Sequence, residues 1–221
     1  MTSGSKYKRN QVDEAIAAVL ARDQNGASTH VRTRIKRLLD TDRALGCDVQ
    51  SDNPARHVFA FYGDEAPGRG TEIWFSGYEA FALLVGLRVL NHGWPQTTAV
   101  RVMRGVRQKL EREHRRILEQ DPAALFDQGQ VSRRARPGML AIGNTDPCFL
   151  AIVTRAGANR RPSSASPYSV EVCRGHNELV SFITRKVPPG MATTSLELVG
   201  SAYALAQYLA QTAPRSRGRR A

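Results

Sequence analysis

The side chains whose types and spacing point to chemistry are mostly cations. Arg32, Thr33, Lys36 and Arg37 cluster within residues 30–39, a stretch without a single Asp or Glu. Guanidinium and ammonium groups pair with phosphates, and Arg also reads guanine edges bidentately. Such a cluster on one helix face suits duplex DNA, the plain alternative being a solvated charged surface. Further along, Arg101, Arg104, Arg112 and Arg115 recur at helical spacing and would clamp a phosphate backbone. Glu111, Glu113 and Glu119 lie among them and compete for the same charges through local pairs. The run RSRGRR at 215–220 has four Arg and no acid, the composition of an arm that adds nonspecific affinity or enters a minor groove.

A second constellation is nucleophilic. Asp146, Cys148 and His176 lie near expected strand ends and would serve as orienter, thiol and base of a Cys-dependent enzyme. That chemistry requires a thiolate of lowered pKa. Cys148 instead opens the apolar run CFLAIV, where a cysteine is more often a small core residue. No metal site is expected, because the five His and three Cys lack the close ligand pairs of tetrahedral zinc. No cofactor is expected either: GDEAPGRG has glycines but no Lys-Ser/Thr to reach phosphate and magnesium, and no nucleophile elbow is present.

The chain of 221 residues carries a formal charge of +12, and the excess sits in residues 77–137 and in the final nine residues. Concentrated cations favour a polyanionic partner, since they displace its condensed counterions. The longest apolar run, around Phe81 to Leu87, is far short of a bilayer span, so no membrane partner is expected. The polar, basic stretch Met1 to Asn10 shows no secretory pattern, and three widely spaced cysteines suit a reducing cytoplasm.

These side chains must be positioned by helices and short strands, an α+β arrangement. Val12, Ile16, Val19 and Leu20 recur at helical spacing, with Asn10 placed as N-cap, so a short helix is expected over 11–21. RDQNGA at 22–27 breaks it, and a second helix capped by Ser28 or Thr29 runs to Leu45 and stops at Gly46. Val31, Ile35, Leu38, Leu39 and Leu45 share its apolar face, which leaves Thr33, Lys36 and Arg37 outward with Arg32 on the flank. HVFAFY at 57–62 and TEIWF at 71–75, joined by GDEAPGRG, are expected to form a hairpin with Arg69 at its tip.

The stretch VRTRIKRLLDTDRALG, Val31 to Gly46, resembles the recognition helix of winged-helix bacterial DNA-binding regulators, including the MerR type. The resemblance implies helix, turn, helix and wing, with Arg32, Lys36 and Arg37 on base edges or phosphates, Thr33 as a hydroxyl contact and Arg69 on the wing. It departs at Ile35 and Lys36, where the MerR type has paired aromatics, and at Asp64 and Glu65, which make the wing acidic.

Ser76 and Glu79 form a capping box for a helix to about Asn91 that is apolar nearly all round, hence central. A long polar helix follows over 96–120, and QGQVSRRARPG at 128–138 has the composition of an exposed linker. Strands are expected at 139–142, 148–153 and 168–173 and a helix over 177–184. Thr194 with Glu197 suggests a second capping box, opening a helix to about Gln211.

The expected organisation is a winged-helix-like unit over 5–76, central helices over 77–127, a C-terminal α/β unit over 138–212 and a basic tail over 213–221. The function expected is a cytoplasmic, bacterial-type DNA-binding transcriptional regulator whose C-terminal part forms a homodimer or senses a ligand. An RNA-binding or ribonucleoprotein-associated factor, the Cys148 enzyme and a protein-interaction adaptor are the rivals.

Overall fold

The computed structural model describes residues 5–20, 29–63, 71–134, 143–154, 168–186 and 192–214. The chain is α+β and divides into two compact units, residues 1–107 with 203–221 and residues 108–202. The division falls inside two helices and cuts the expected segments 77–127 and 138–212, while 5–76 lies whole within the first unit.

The first unit begins with β1 (Lys6–Lys8) and α1 (Arg9–Leu20). Helix α1 starts one residue before Asn10, the expected cap. Gln11, third in the helix, bends back so that its side-chain oxygen accepts the Lys8 N–H at 3.0 Å, satisfying a donor that would otherwise be left bare at the strand-to-helix turn. The other end of the same amide donates to the Thr212 carbonyl at 2.7 Å, tying 203–214 to α1.

Helix α2 (Thr29–Leu45) follows, then β2 (Trp74–Ser76) and α3 (Gly77–Asn91). The expected capping box is present: Ser76 Oγ accepts the Glu79 N–H at 3.2 Å and Glu79 accepts the Ser76 N–H at 2.7 Å. Residues 78–87 of α3 are all buried, and α1, α2 and α3 contact one another pairwise. Gly86 is where α3 admits a neighbour. A methyl group there would come within 3.0 Å of the Phe61 ring.

The expected hairpin is not formed. Residues 57–62 make no strand, and β2 pairs antiparallel with β1, Phe75 opposite Tyr7. The reason lies in how 59–62 satisfies its backbone. Its side chains are buried, so its N–H and C=O groups need partners other than water. Asp42 Oδ2 accepts the N–H groups of Ala60 (2.8 Å) and Phe61 (3.0 Å). Arg107 donates to the carbonyls of Phe59 and Tyr62. An alternating aromatic segment that reads as a strand is thus a strap, held by two charged side chains instead of a neighbouring strand. Residues 64–70, with Arg69, lie outside the described residues, as do 21–28.

Helix α4 (Gln96–Leu118) contributes residues to both units. In the second unit it is followed by α5 (Pro122–Leu125), capped by Asp121, and α6 (Gln128–Arg134). Helix α6 occupies 128–134 of the expected linker, whose residues 135–138 lie outside the described residues. Asp127 accepts the Gln130 N–H at 2.9 Å, the N-terminal signal that composition alone obscured. The expected strand at 139–142 lies outside the described residues.

A three-stranded antiparallel sheet follows, in the order β4 (Tyr168–Arg174), β3 (Cys148–Thr154), β5 (Thr193–Glu197). Leu150 faces Val172 on one side and Leu196 on the other. Helix α7 (Gly175–Lys186) packs on β4 and β3, with Phe182 buried beside Ala151, Val153 and Cys173. Thr194 and Glu197 do not open a helix; they belong to β5. Glu197 does cap, from a different position: its carboxylate accepts the N–H groups of Val199 (2.7 Å) and Gly200 (3.0 Å) at the start of α8 (Val199–Gln211).

Candidate nucleic-acid interface

Helix α2 is fixed from beneath. Ile35, Leu38 and Leu39 are at most 2% exposed, and Gly46, in the left-handed region at φ 60°, ends the helix as its type allows. Val31 is only partly buried and Leu45 is 37% exposed, so the stripe is tightest at the helix centre. Gln96 donates to the Arg37 carbonyl at 3.1 Å and also to Thr41, and Arg34 bonds Asn91. A helix held this way presents its outer side without rolling.

That outer side carries Arg32, Thr33, Lys36 and Arg37, all exposed. Arg32 lies 4.0 Å from Glu14, a loose surface pair of little energetic weight. Lys36 and Arg37 form no ion pair among the described residues. The Thr33 hydroxyl donates to the Thr29 carbonyl at 2.8 Å, which leaves its oxygen lone pairs outward.

A groove of about 460 Å³ runs along one flank of α2. Arg32 and Lys36 line it, with Arg43 seven residues further, about 20° away around the helix. Arg9 also lines it. Leu39, Tyr62 and Ile73 supply its uncharged lining. Two carboxylates also face it. Asp13 accepts from Arg9 at 2.7 Å, and burial nonetheless holds its carboxyl above the ordinary range. Asp40 lies 3.7 Å from Arg43. The Tyr62 phenol, pushed up to about 12 by burial, stays neutral; it donates to the Leu39 carbonyl and accepts from Arg43, each at 3.3 Å. Arg43 was legible from its spacing to Lys36. Arg9, Tyr62 and Ile73 were not, because only the tertiary fold brings them to α2.

The other expected contacts divide. Arg101 is exposed and forms no ion pair among the described residues. Arg104 is the clear correction: it is 5% exposed and points inward. Its Nε donates to Asp42 Oδ1 at 2.7 Å, and its other nitrogens donate to the carbonyls of Gly46 (2.7 Å) and Asp42 (2.6 Å). The Phe59 ring lies 5.4 Å away. It cannot clamp a phosphate without dismantling the core beneath α2. In the second unit Arg115 is exposed, and Arg112 is 67% exposed, 3.8 Å from Glu113.

The thiol constellation is not assembled. Cys148 is fully buried, and burial with the nearby Glu113 charge pushes its thiol up to about 12, the opposite of an activated nucleophile. Asp146 accepts from Arg116, and from Gln120 at 2.8 Å. Burial raises that carboxyl, but these two partners outweigh it and hold it below the ordinary range. His176 lies against Phe149, ring centres 5.4 Å apart. Among the described residues no hydrogen bond joins Asp146, Cys148 and His176.

What occupies this region is an ion-pair network. Glu113, 1% exposed, takes a bidentate pair from Arg174 (2.7 Å to each oxygen) and a bond from Arg116 at 2.8 Å. Burial alone would raise its carboxyl, and the two guanidinium groups pull it below the usual carboxylate range.

Among the described residues no group of three or more His, Cys, Asp or Glu could hold a metal ion, and no helix is long and apolar enough to cross a membrane. The sequence matches no protein-family model and no curated protein.

Proposed function

We propose that the unit formed by residues 1–107 and 203–221 binds double-stranded DNA through α2, and that the protein is a cytoplasmic transcriptional regulator. Lys36 and Arg37 supply phosphate and base-edge contacts, Arg32 and Thr33 flank them, and Arg101 contacts the backbone. One observation carries the reading: Lys36 and Arg37 are exposed and form no ion pair among the described residues, on a helix whose inner side is locked by Ile35, Leu38 and Leu39. A pair at i,i+4 would offset such charge, and Lys36 and Arg37 have none among the described residues. Arg112, Arg115 and the 215–220 arm would add nonspecific affinity. Homodimerisation would pair two such helices on successive half-sites.

The test is duplex binding of the full chain across a salt series. Log affinity should fall linearly with log salt, and Arg32→Ala, Lys36→Ala and Arg37→Ala should each flatten the slope by about 0.9, one phosphate contact apiece. Affinity indifferent to salt, or to all three substitutions, rejects the reading. Preference for structured RNA over duplex DNA in competition would replace it with the RNA-binding alternative, because the A-form major groove excludes a reading helix.

A further inference from the structure

The groove beside α2 is larger than a phosphate contact needs. At about 460 Å³ it falls within the range of small-molecule sites, roughly 300–1,000 Å³. Four cationic and two acidic side chains face it, leaving two positive charges in excess. The acids are already engaged: Asp13 is bonded to Arg9 and Asp40 lies beside Arg43. Lys36 forms no ion pair among the described residues, and Arg32 has only its loose pairing to Glu14. Those two sit four residues apart on one side of the helix, a span that a single phosphate monoester of about −1.5 to −2 charge can bridge.

The rest of the lining is not designed for an ion. Half-buried Ile73 offers an uncharged surface beside the cations, while Leu39 and Tyr62 also line the groove but are only 2% and 3% exposed. Inorganic phosphate would leave that surface wet, and an apolar ligand would leave Arg32 and Lys36 unanswered. A duplex, wider than any such cleft, cannot enter it. A phosphate attached to a sugar and a flat base satisfies both parts.

We propose that this groove seats a single nucleotide, its phosphate on Arg32 and Lys36 and its sugar and base against Ile73. The nucleotide comes either free or as an unpaired residue of a strand bound on α2. The inference rests on the preceding reading only for the second source; the groove can hold a free nucleotide whether or not α2 reads DNA.

The experiment uses the full chain and four probes: deoxyadenosine monophosphate, inorganic phosphate, a fully paired duplex, and that duplex with one unpaired adenosine. Methyl resonances of Leu39 and Ile73 report the groove, and fluorescence anisotropy reports the duplexes. The nucleotide should shift both methyl signals saturably and bind at least about tenfold tighter than phosphate, or the unpaired adenosine should tighten duplex binding by about the same factor. The first result alone assigns a free ligand, the second alone a strand-borne one, and either supports the seat. Lys36→Ala and, separately, Arg32→Ala should weaken whichever is seen by about tenfold, one charge-assisted hydrogen bond. Arg37→Ala, outside the groove, should leave nucleotide binding unchanged while weakening the paired duplex. A nucleotide no tighter than phosphate, together with an unpaired adenosine without effect, overturns the proposal. Salt-dependent binding of the paired duplex in that case leaves the reading of α2 standing, whereas nucleotide binding without duplex binding leaves the seat and removes that reading.

Discussion

Asp42 and Arg104 meet at 2.7 Å in the core of the first unit, their side chains 0% and 4% exposed. The carboxylate also holds two backbone N–H groups of the strap and the guanidinium two carbonyls, so both carboxylate oxygens and all three guanidinium nitrogens have a partner. Removing one partner strands the other. Arg104→Ala and Asp42→Ala should each cost about 3–5 kcal/mol of unfolding free energy by chemical denaturation. Arg104→Met alone should be equally damaging, because it leaves Asp42 charged and unanswered.

Stability and binding should separate on α2. Arg32→Ala, Lys36→Ala and Arg37→Ala alter exposed side chains, and each should change stability by no more than about 0.5 kcal/mol while reducing duplex affinity. Thermal unfolding and anisotropy on the same preparations check this. A loss of both together would mean that these residues support the fold.

Acid should destabilise the protein in two stages. His114 is 7% exposed and burial lowers it from 6.5 to about 4, so the folded form keeps it neutral while the unfolded chain takes up a proton. Its contribution is lost as pH falls from 6.5 towards 4, about 3 kcal/mol in all. Glu113 and Asp146 have folded values below their ordinary ones. They stabilise above the ordinary carboxylate range and lose that contribution as pH falls through the lowered values. Denaturant midpoints from pH 8 to 3 should decline first below 6.5 and again below about 4. His114→Phe should remove the first decline, and Glu113→Gln should flatten the second from a lower starting stability.

Thiol labelling should distinguish the three cysteines. Cys47 is exposed, whereas Cys148 and Cys173 are buried with thiols pushed up to about 12 and about 11. Alkylation of the native protein at neutral pH should stop at Cys47, and the other two should react only in denaturant. Rapid native labelling of Cys148 would revive the thiol constellation.

Glu197 closes the start of α8, and its Oε1 also accepts from Asn144 at 3.0 Å. Glu197→Ala should cost about 1–2 kcal/mol, the loss of an N-terminal cap. Glu197→Gln, which keeps the acceptor oxygen, should recover part of it.

Local rules were legible where one pattern had one outcome. The Ser76–Glu79 box and the all-round apolarity of 77–91 required a buried helix, and α3 is one. The stripe of Ile35, Leu38 and Leu39 placed the outer side of α2 correctly. Reading failed where a side chain substituted for a regular ladder. HVFAFY has strand periodicity, yet Asp42 and Arg107 satisfy its backbone, and no local pattern announces that. One clue was present: Asp42 falls in step with Ile35 and Leu38 on the apolar side of α2, and a carboxylate there requires a buried cation. Arg104 is that cation, so its place on the wheel of α4 misled. The T-x-x-E spacing at 194–197 named the capping residue but not its position, since Glu197 serves from before the helix. The groove was hidden because Arg9 and Ile73 reach α2 only through the pairing of β1 with β2.

The bond from Gln11 to the Thr212 carbonyl has a bearing on synthesis. One compact unit is assembled from both sides of the other in sequence, so 108–202 can collapse while α1 still waits for its last neighbours. During translation the unit that holds α2 therefore completes second, only after residues 203–214 have cleared the ribosome. Until then α1 must survive with one flank uncovered, the interval in which chaperones would find it.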